Sequence, residues 1–472
     1  MKTSPWRHQR HGDFFCTHLE RGPRDDQCGV RDCAATGRLG LAAQAGYGVG
    51  QVAGQVFRDV PSLLLLFFMT NVLGIEPALA GAAIFVPKLV LGVGCDMAVG
   101  ILSDRWKHRF ARRWWLLVGA AGAPLAIILL FHVPDLPMSG KAAYVTAAFS
   151  LYMAVFASFS VPYLAIAGEL SSDTHQRTVL MAWRLVFTAI GVLVGGSVAP
   201  YIVQSNGGGQ GAYEEMARFL ALVCPLALGV AFFGAARAAR QAGVAPAVAS
   251  GARRLSFGEA LRVLAAPRFS VLLGSNLLQL AGSGMAYASM LYFLTYNMAR
   301  TDAFQLIGGL VAIACTAIIL AQPVWVALAK RVGKKPVYLL SAIGYGTTYL
   351  VWAFCADAGT VAAYVLCFIA SAFNSGWALL SFSMMSDIAG EDQKHAGLYS
   401  GAWIAVDKIG FGLGGTLLVG LLLSGFGFDS ARAVMGQAQT DLAIRGVMLA
   451  FGVVPALLNL TAAAIFWRFG RT

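Results

Sequence analysis

Twelve stretches of about 20 predominantly apolar residues recur along the chain, centred near residues 58, 90, 122, 153, 191, 226, 283, 316, 345, 374, 411 and 455. A helix rising 1.5 Å per residue needs about 20 residues to cross roughly 30 Å of hydrocarbon, so the pattern predicts twelve transmembrane helices. The polar intervals between them alternate in kind. The second interval carries Arg105, Lys107, Arg109, Arg112 and Arg113; the sixth carries Arg237, Arg240, Arg253, Arg254, Arg262 and Arg268; the eighth carries Lys330, Arg331, Lys334 and Lys335. On the other side, residues 71–78 hold no Lys or Arg and residues 132–141 hold only Lys141. Basic residues collect in cytoplasmic loops, so both termini and every even-to-odd connection are expected in the cytoplasm.

Composition agrees, with 58% hydrophobic and 12% charged residues and a mean hydropathy of +0.67, where soluble domains are about a quarter charged. The net charge of +12 sits in loops and forms neither an amphipathic face nor an aromatic-interleaved patch, so it speaks for membrane orientation and against nucleic acid. Residues 1–40 are polar and lack the apolar core of a signal peptide; they read as a disordered cytoplasmic tail. Cys16, His18, Cys28 and Cys33 there match no standard zinc spacing. Residues 241–268, Ala/Gly/Pro-rich and then basic, read as a cytoplasmic linker between helical bundles at 41–240 and 269–468. The bundles echo each other: Gly100-Ile-Leu-Ser-Asp-Arg105 ends the second apolar run, and Trp325-Val-Ala-Leu-Ala-Lys-Arg331 ends the eighth. Two such parallel six-helix repeats describe a major-facilitator architecture, an all-α membrane fold whose substrate site lies near the midplane between the halves.

An ionisable group near the bilayer centre costs several kcal/mol unless it faces a cavity or a partner, so intramembrane charges are the candidate chemistry. They are Asp96, Arg184, the adjacent Asp407 and Lys408, and the adjacent Arg58 and Asp59. Asp96 lies eight residues before Asp104, about 12 Å deeper at 1.5 Å per residue, and Val93, Gly94, Cys95, Met97 and Ala98 offer its carboxylate nothing. Its partner is therefore expected on another helix. Arg58 and Asp59, being consecutive, point in different directions. Asp104 with Arg105, and Glu169 with Arg177, fall at cytoplasmic helix ends and read as a gate.

The segments Tyr47-Gly-Val-Gly50, Gly100-Ile-Leu-Ser-Asp-Arg105, Val161-Pro-Tyr-Leu-Ala165, Glu169-Leu-Ser-Ser-Asp173, Gln176-Arg-Thr178, Arg184, Ser386-Asp-Ile388 and Lys408-Ile-Gly410, in order over about residues 45–425, resemble the glycoside-pentoside-hexuronide:cation symporters of the major facilitator superfamily. The resemblance implies a cation-coupled sugar transporter working by alternating access, with Arg184 and Lys408 as the family's basic residues of helices five and eleven. Of the family's four acids only the second of helix two is present, as Asp96; Gly92, Gln55 and Ser160 stand at the other positions. One carboxylate suits a proton better than sodium, which wants several oxygen ligands. Cation coupling is thus assigned to Asp96, Lys408, Arg184 and Asp59, with Lys408 or Arg184 approaching Asp96 in one of the alternating states.

Substrate contacts are expected from Gln55, Arg58, Tyr163, Arg184, Trp377 and Lys408, with Trp183, Tyr292, Trp403, Asn276, Gln279 and Asn374 also available. Trp377 leads because Asn374-Ser-Gly-Trp377 makes a polar, small-residue break in the tenth run. No enzyme motif is present, no cofactor beyond the coupling ion is implied, and the expected setting is a bacterial inner membrane, as a monomer. A transporter of a non-sugar amphiphile or lysolipid, coupled or not, is the alternative that the missing acids leave open.

Overall fold

Lipid supplies no hydrogen bonds, so each apolar run must satisfy its own backbone, and helices do this. The computed structural model describes residues 40–106, 109–170, 174–242, 262–392 and 395–470, and all regular structure among them is helical. Most of the expected tail and linker lies outside these residues. We number the long helices α1 (Leu41–Asn71), α2 (Pro77–Trp106), α3 (Trp114–Phe131), α4 (Met138–Leu170), α5 (Val179–Ser205), α6 (Gln210–Ala242), α7 (Pro267–Asn297), α8 (Ala303–Val332), α9 (Lys334–Ala353), α10 (Gly359–Glu391), α11 (Leu398–Gly425) and α12 (Asp441–Phe469).

Eleven are long and apolar enough to cross a membrane; α9 is the exception. Its 20 residues include Lys334, Lys335, Ser341, Thr347, Thr348 and three tyrosines. The lysines tie it to its neighbours: Lys334 Nζ reaches Asp387 on α10 at 2.5 Å, and Lys335 Nζ donates to the Gly470 carbonyl beyond α12 at 2.6 Å. This run is thus helical as the sequence predicts but less apolar than the other eleven.

Packing repeats. Among residues 41–242, α1 packs on α5 and α6, α4 on α2 and α3, and α3 on α6; among residues 267–469, α7 packs on α11 and α12, α10 on α8 and α9, and α9 on α12. The second set is the first advanced by six helices. The two sets meet through α2–α11, α5–α8 and α1–α7, a pattern that also maps onto itself when the halves are exchanged.

These crossings draw together at the end away from the basic loops. Gly81 on α2 would place a Cβ 2.5 Å from the Thr416 carbonyl oxygen, Gly420 on α11 abuts the Pro77 carbonyl, and Gly196 on α5 packs on Val311 of α8. Small residues let helix backbones touch. Hydrogen bonds then close this end. Tyr292 OH and Thr70 Oγ1 share one at 2.6 Å, Tyr296 OH donates to Asn71, Ser430 Oγ donates to the Ile75 carbonyl at 2.8 Å, and Ser197 Oγ to the Gly308 carbonyl at 2.8 Å. Just outside, the Arg300 guanidinium donates to both Asp302 oxygens at 2.8 Å and holds that carboxyl below its ordinary pKa.

Five helices contain a wide π-helical stretch: Pro61–Leu65 in α1, Val194–Val198 in α5, Phe293–Asn297 in α7, Leu413–Leu418 in α11 and Leu449–Val453 in α12. Such stretches frequently mark functional positions. Four of the five fall on corresponding helices, the first and fifth of each set.

Candidate functional site

A cavity of about 190 Å³ opens between the two sets, walled by α1, α2 and α4 from one and by α11 from the other. Helix α2 contributes Lys88, Gly92 and Asp96. Their four-residue spacing puts them on one face, and nothing lies within 4 Å of where a Gly92 Cβ would be, so the missing side chain is itself part of the opening. From α11 come Asp407, Lys408 and Phe411; α1 adds Phe57, Arg58, Pro61 and Ser62, at the start of its wide stretch; α4 adds Phe149, Met153 and Phe156.

The principal electrostatic contact crosses the interface. Lys408 Nζ donates to Asp96 Oδ2, with side chains 28% and 21% exposed, and Lys408 also lies 5.9 Å from the Phe156 ring centre. This is the inter-helix partner that the bare surroundings of Asp96 require. Arg58 and Lys88 flank another ring: the guanidinium carbon is 5.6 Å and the ammonium nitrogen 5.7 Å from the Phe411 centre, inside the range of cation–π attraction, worth about 0.5–2 kcal/mol. Lys88 is absent from the sequence assignment. It is a lone cation within an apolar run, and the same rule that singled out Asp96 identifies it.

Arg58 and Asp59 do part company. Asp59 is buried against α5, where its Oδ2 accepts from Gln55 Nε2 at 2.8 Å. Gly191 and Gly195 make this approach possible, since a Cβ on Gly191 would come within 2.6 Å of the Gln55 Cβ. Gln55 is therefore the ligand of a neighbouring carboxylate. Arg184 sits elsewhere than beside Asp96: it donates to Gln51 Oε1 at 2.9 Å and lies over the Tyr163 ring at 5.2 Å. Tyr163 in turn donates to the Tyr47 carbonyl at 2.9 Å while Tyr47 OH donates to the Tyr163 carbonyl at 2.8 Å, locking α1 to α4.

The expected aromatic contacts are dispersed. Trp377 is buried, at 4% exposure, outside the cavity lining, and its indole N–H has no partner among the described residues. Its helix is continuous through Asn374-Ser-Gly-Trp377. Tyr292 belongs to the closed end, Trp183 packs at Gly48 and Trp403 borders a separate groove with Phe382. Gln279 accepts from Tyr338 OH at 2.9 Å, Asn276 is buried and Asn374 half-buried. Arg105 is exposed at the end of α2; the other gate side chains, Asp104, Glu169 and Arg177, lie outside the described residues.

The sequence profile described as MFS/sugar transport protein matches residues 46–470. The chain is 24% identical over 445 residues to the inner membrane symporter YicJ of Escherichia coli, covering 91% of this chain and 92% of that one. It is 25% identical over 379 residues to the mouse sphingosine-1-phosphate transporter MFSD2B, covering 76% and 74%. Among solved structures, a D-xylose-proton symporter superposes with a TM-score of 0.59 at 16% identity, over 91% of this chain and 95% of that one.

Proposed function

The chain belongs to the MFS/sugar transport protein family, and on that premise we propose that it is a proton-coupled symporter of a small organic solute, a sugar or glycoside first, working by alternating access across the inner membrane. Transport and not catalysis is what the family does. The observation that carries the coupling is the Asp96–Lys408 pair on the cavity wall between the halves. An ammonium already seated on the carboxylate competes with any metal cation. A proton on Asp96 removes the charge–charge attraction of the pair, so protonation weakens a contact joining α2 to α11.

The basic loops are taken as cytoplasmic, which makes the glycine-lined, hydrogen-bonded end the outer one and the cavity a site reached from inside. Binding near the midplane between rocking halves is the expected arrangement. Arg184, Tyr163 and Gln55 then support α1 and its neighbours, and Arg58 and Lys408 are the contacts closest to the solute. A second reading, an amphiphile in place of a sugar, draws on the cavity's four phenylalanines and one methionine and on the lipid-phosphate transporter among the relatives.

Reconstitution tests the coupling. Proteoliposomes with an imposed proton gradient are expected to accumulate labelled solute, and Asp96→Asn to lose accumulation while retaining exchange of internal for external solute. Undiminished uphill accumulation by Asp96→Asn overturns proton coupling at this residue. Accumulation driven by sodium alone overturns the choice of ion.

A further inference from the structure

The polar equipment of the cavity is almost wholly ionic. Its lining carries three cations, Arg58, Lys88 and Lys408, against two acids, Asp96 and Asp407. Lys408 is engaged with Asp96. Among the described residues neither Arg58 nor Lys88 makes an ion pair within 4.0 Å, and both lie against the Phe411 ring, with Asp407 and the buried Asp59 acting on them from further off. Ser62 is the one neutral polar side chain of the lining, and its hydroxyl is committed to the Arg58 carbonyl at 2.7 Å. A neutral polyol finds no amide here to exchange hydrogen bonds with. Two cations held apart by an aromatic ring offer charge-assisted hydrogen bonds instead.

We propose that Arg58 and Lys88 form an oxyanion-binding subsite, so that the transported solute carries a carboxylate or phosphate group on a small or partly apolar body. The cavity, at about 190 Å³, is smaller than sites for drug-sized ligands, which fits a small solute or the acidic end of a longer one. This inference rests on the transport reading above and names the substrate class for it. It also gives the proton a reason to travel with the solute. Facing Asp96 are Lys408 and Asp407 from α11, Arg58 from α1 and Lys88 from its own helix, while α4 adds only apolar side chains. Protonating Asp96 leaves the lining with three cations against one acid, Asp59 lying buried behind Arg58 outside it. Proton and anion therefore favour each other's binding, and a monoanion entering with one proton moves no net charge.

Calorimetric titration of the purified full-length protein in detergent tests this, using phenyl β-D-glucopyranoside, phenyl β-D-glucuronide and phenyl phosphate, which share an apolar ring and differ in charge. At least one acidic probe is expected to bind saturably, more tightly than the neutral glucoside, and to lose roughly tenfold to a hundredfold in affinity in Arg58→Gln and in Lys88→Gln. Arg58→Lys, which keeps the charge, is expected to retain most of the binding, separating loss of the subsite from loss of fold. Binding of the glucuronide alone assigns a carboxylate, and of phenyl phosphate alone a phosphate. No saturable binding of either acidic probe, acidic binding unchanged by both glutamine variants, or a glucoside that binds as well as the acids overturns the proposal. The coupling fails separately: an acidic probe that binds as expected but is not accumulated under a proton gradient upholds the subsite and removes the symport reading.

Discussion

Lys88, Gly92 and Asp96 share one face of α2, but the countercharge of Asp96 comes from a residue 312 positions away on α11. Removing one partner of a half-buried pair strands the other, whereas removing both does not. Lys408→Met is therefore expected to lower thermal stability in detergent, and Asp96→Asn with Lys408→Met to recover part of it, with a coupling energy of about 1–2 kcal/mol from the double-mutant cycle. Gln55→Leu removes a hydrogen bond from a buried carboxylate and should destabilise by about 1–3 kcal/mol, measured the same way. Its transport affinity should change little, because Gln55 contacts Asp59 and is absent from the cavity lining. At this scale depth was legible in the sequence and direction was not. An apolar run shows that Asp96, Arg58 and Lys408 are intramembrane, and equally should have shown Lys88; it does not show that Arg184 turns to Gln51 and Tyr163, because the facing helix is chosen by tertiary packing. Trp377 illustrates the same limit, since a polar break in a helix says nothing of which side its tryptophan takes.

Helix boundaries followed from apolar length, and the contacts between helices are set by where side chains are missing. Gly81, Gly196 and Gly420 occupy crossings at the closed end, where an added side chain meets backbone or valine. Gly420→Val is expected to wedge α11 from α2 and populate the state open at that end. A cysteine at Ser62, inside the cavity, would then react faster with a membrane-impermeant maleimide added on that side. Gly425→Ala, with nothing within 4 Å of the new methyl, serves as the control and should leave the labelling rate unchanged. The wide stretches in α1, α5, α7 and α11 escaped the sequence reading altogether, since a π turn needs one extra residue in a turn and leaves the apolar pattern almost intact.

The two six-helix sets use the same pairs of neighbours and meet through three crossings, of which α2–α11 and α5–α8 exchange when the halves are swapped. This repeat was visible in the sequence only as the echo between the basic ends of the second and eighth runs; its full extent is a property of packing. Within it α9 stands apart, being helical and packed against α10 and α12 yet too polar to rank with the other eleven. Three tyrosines, Ser341, Thr347 and Thr348 leave its apolar run weaker than those of the other helices, while α10 and α12 are both synthesised after it. Insertion of α9 is therefore expected to be helped by the segments that follow it. A chain truncated after Ala353 and carrying a glycosylation tag should leave the translocon with α9 outside the bilayer, and a chain extended through Phe469 should draw it in, so that the last third of the protein enters the membrane as a group.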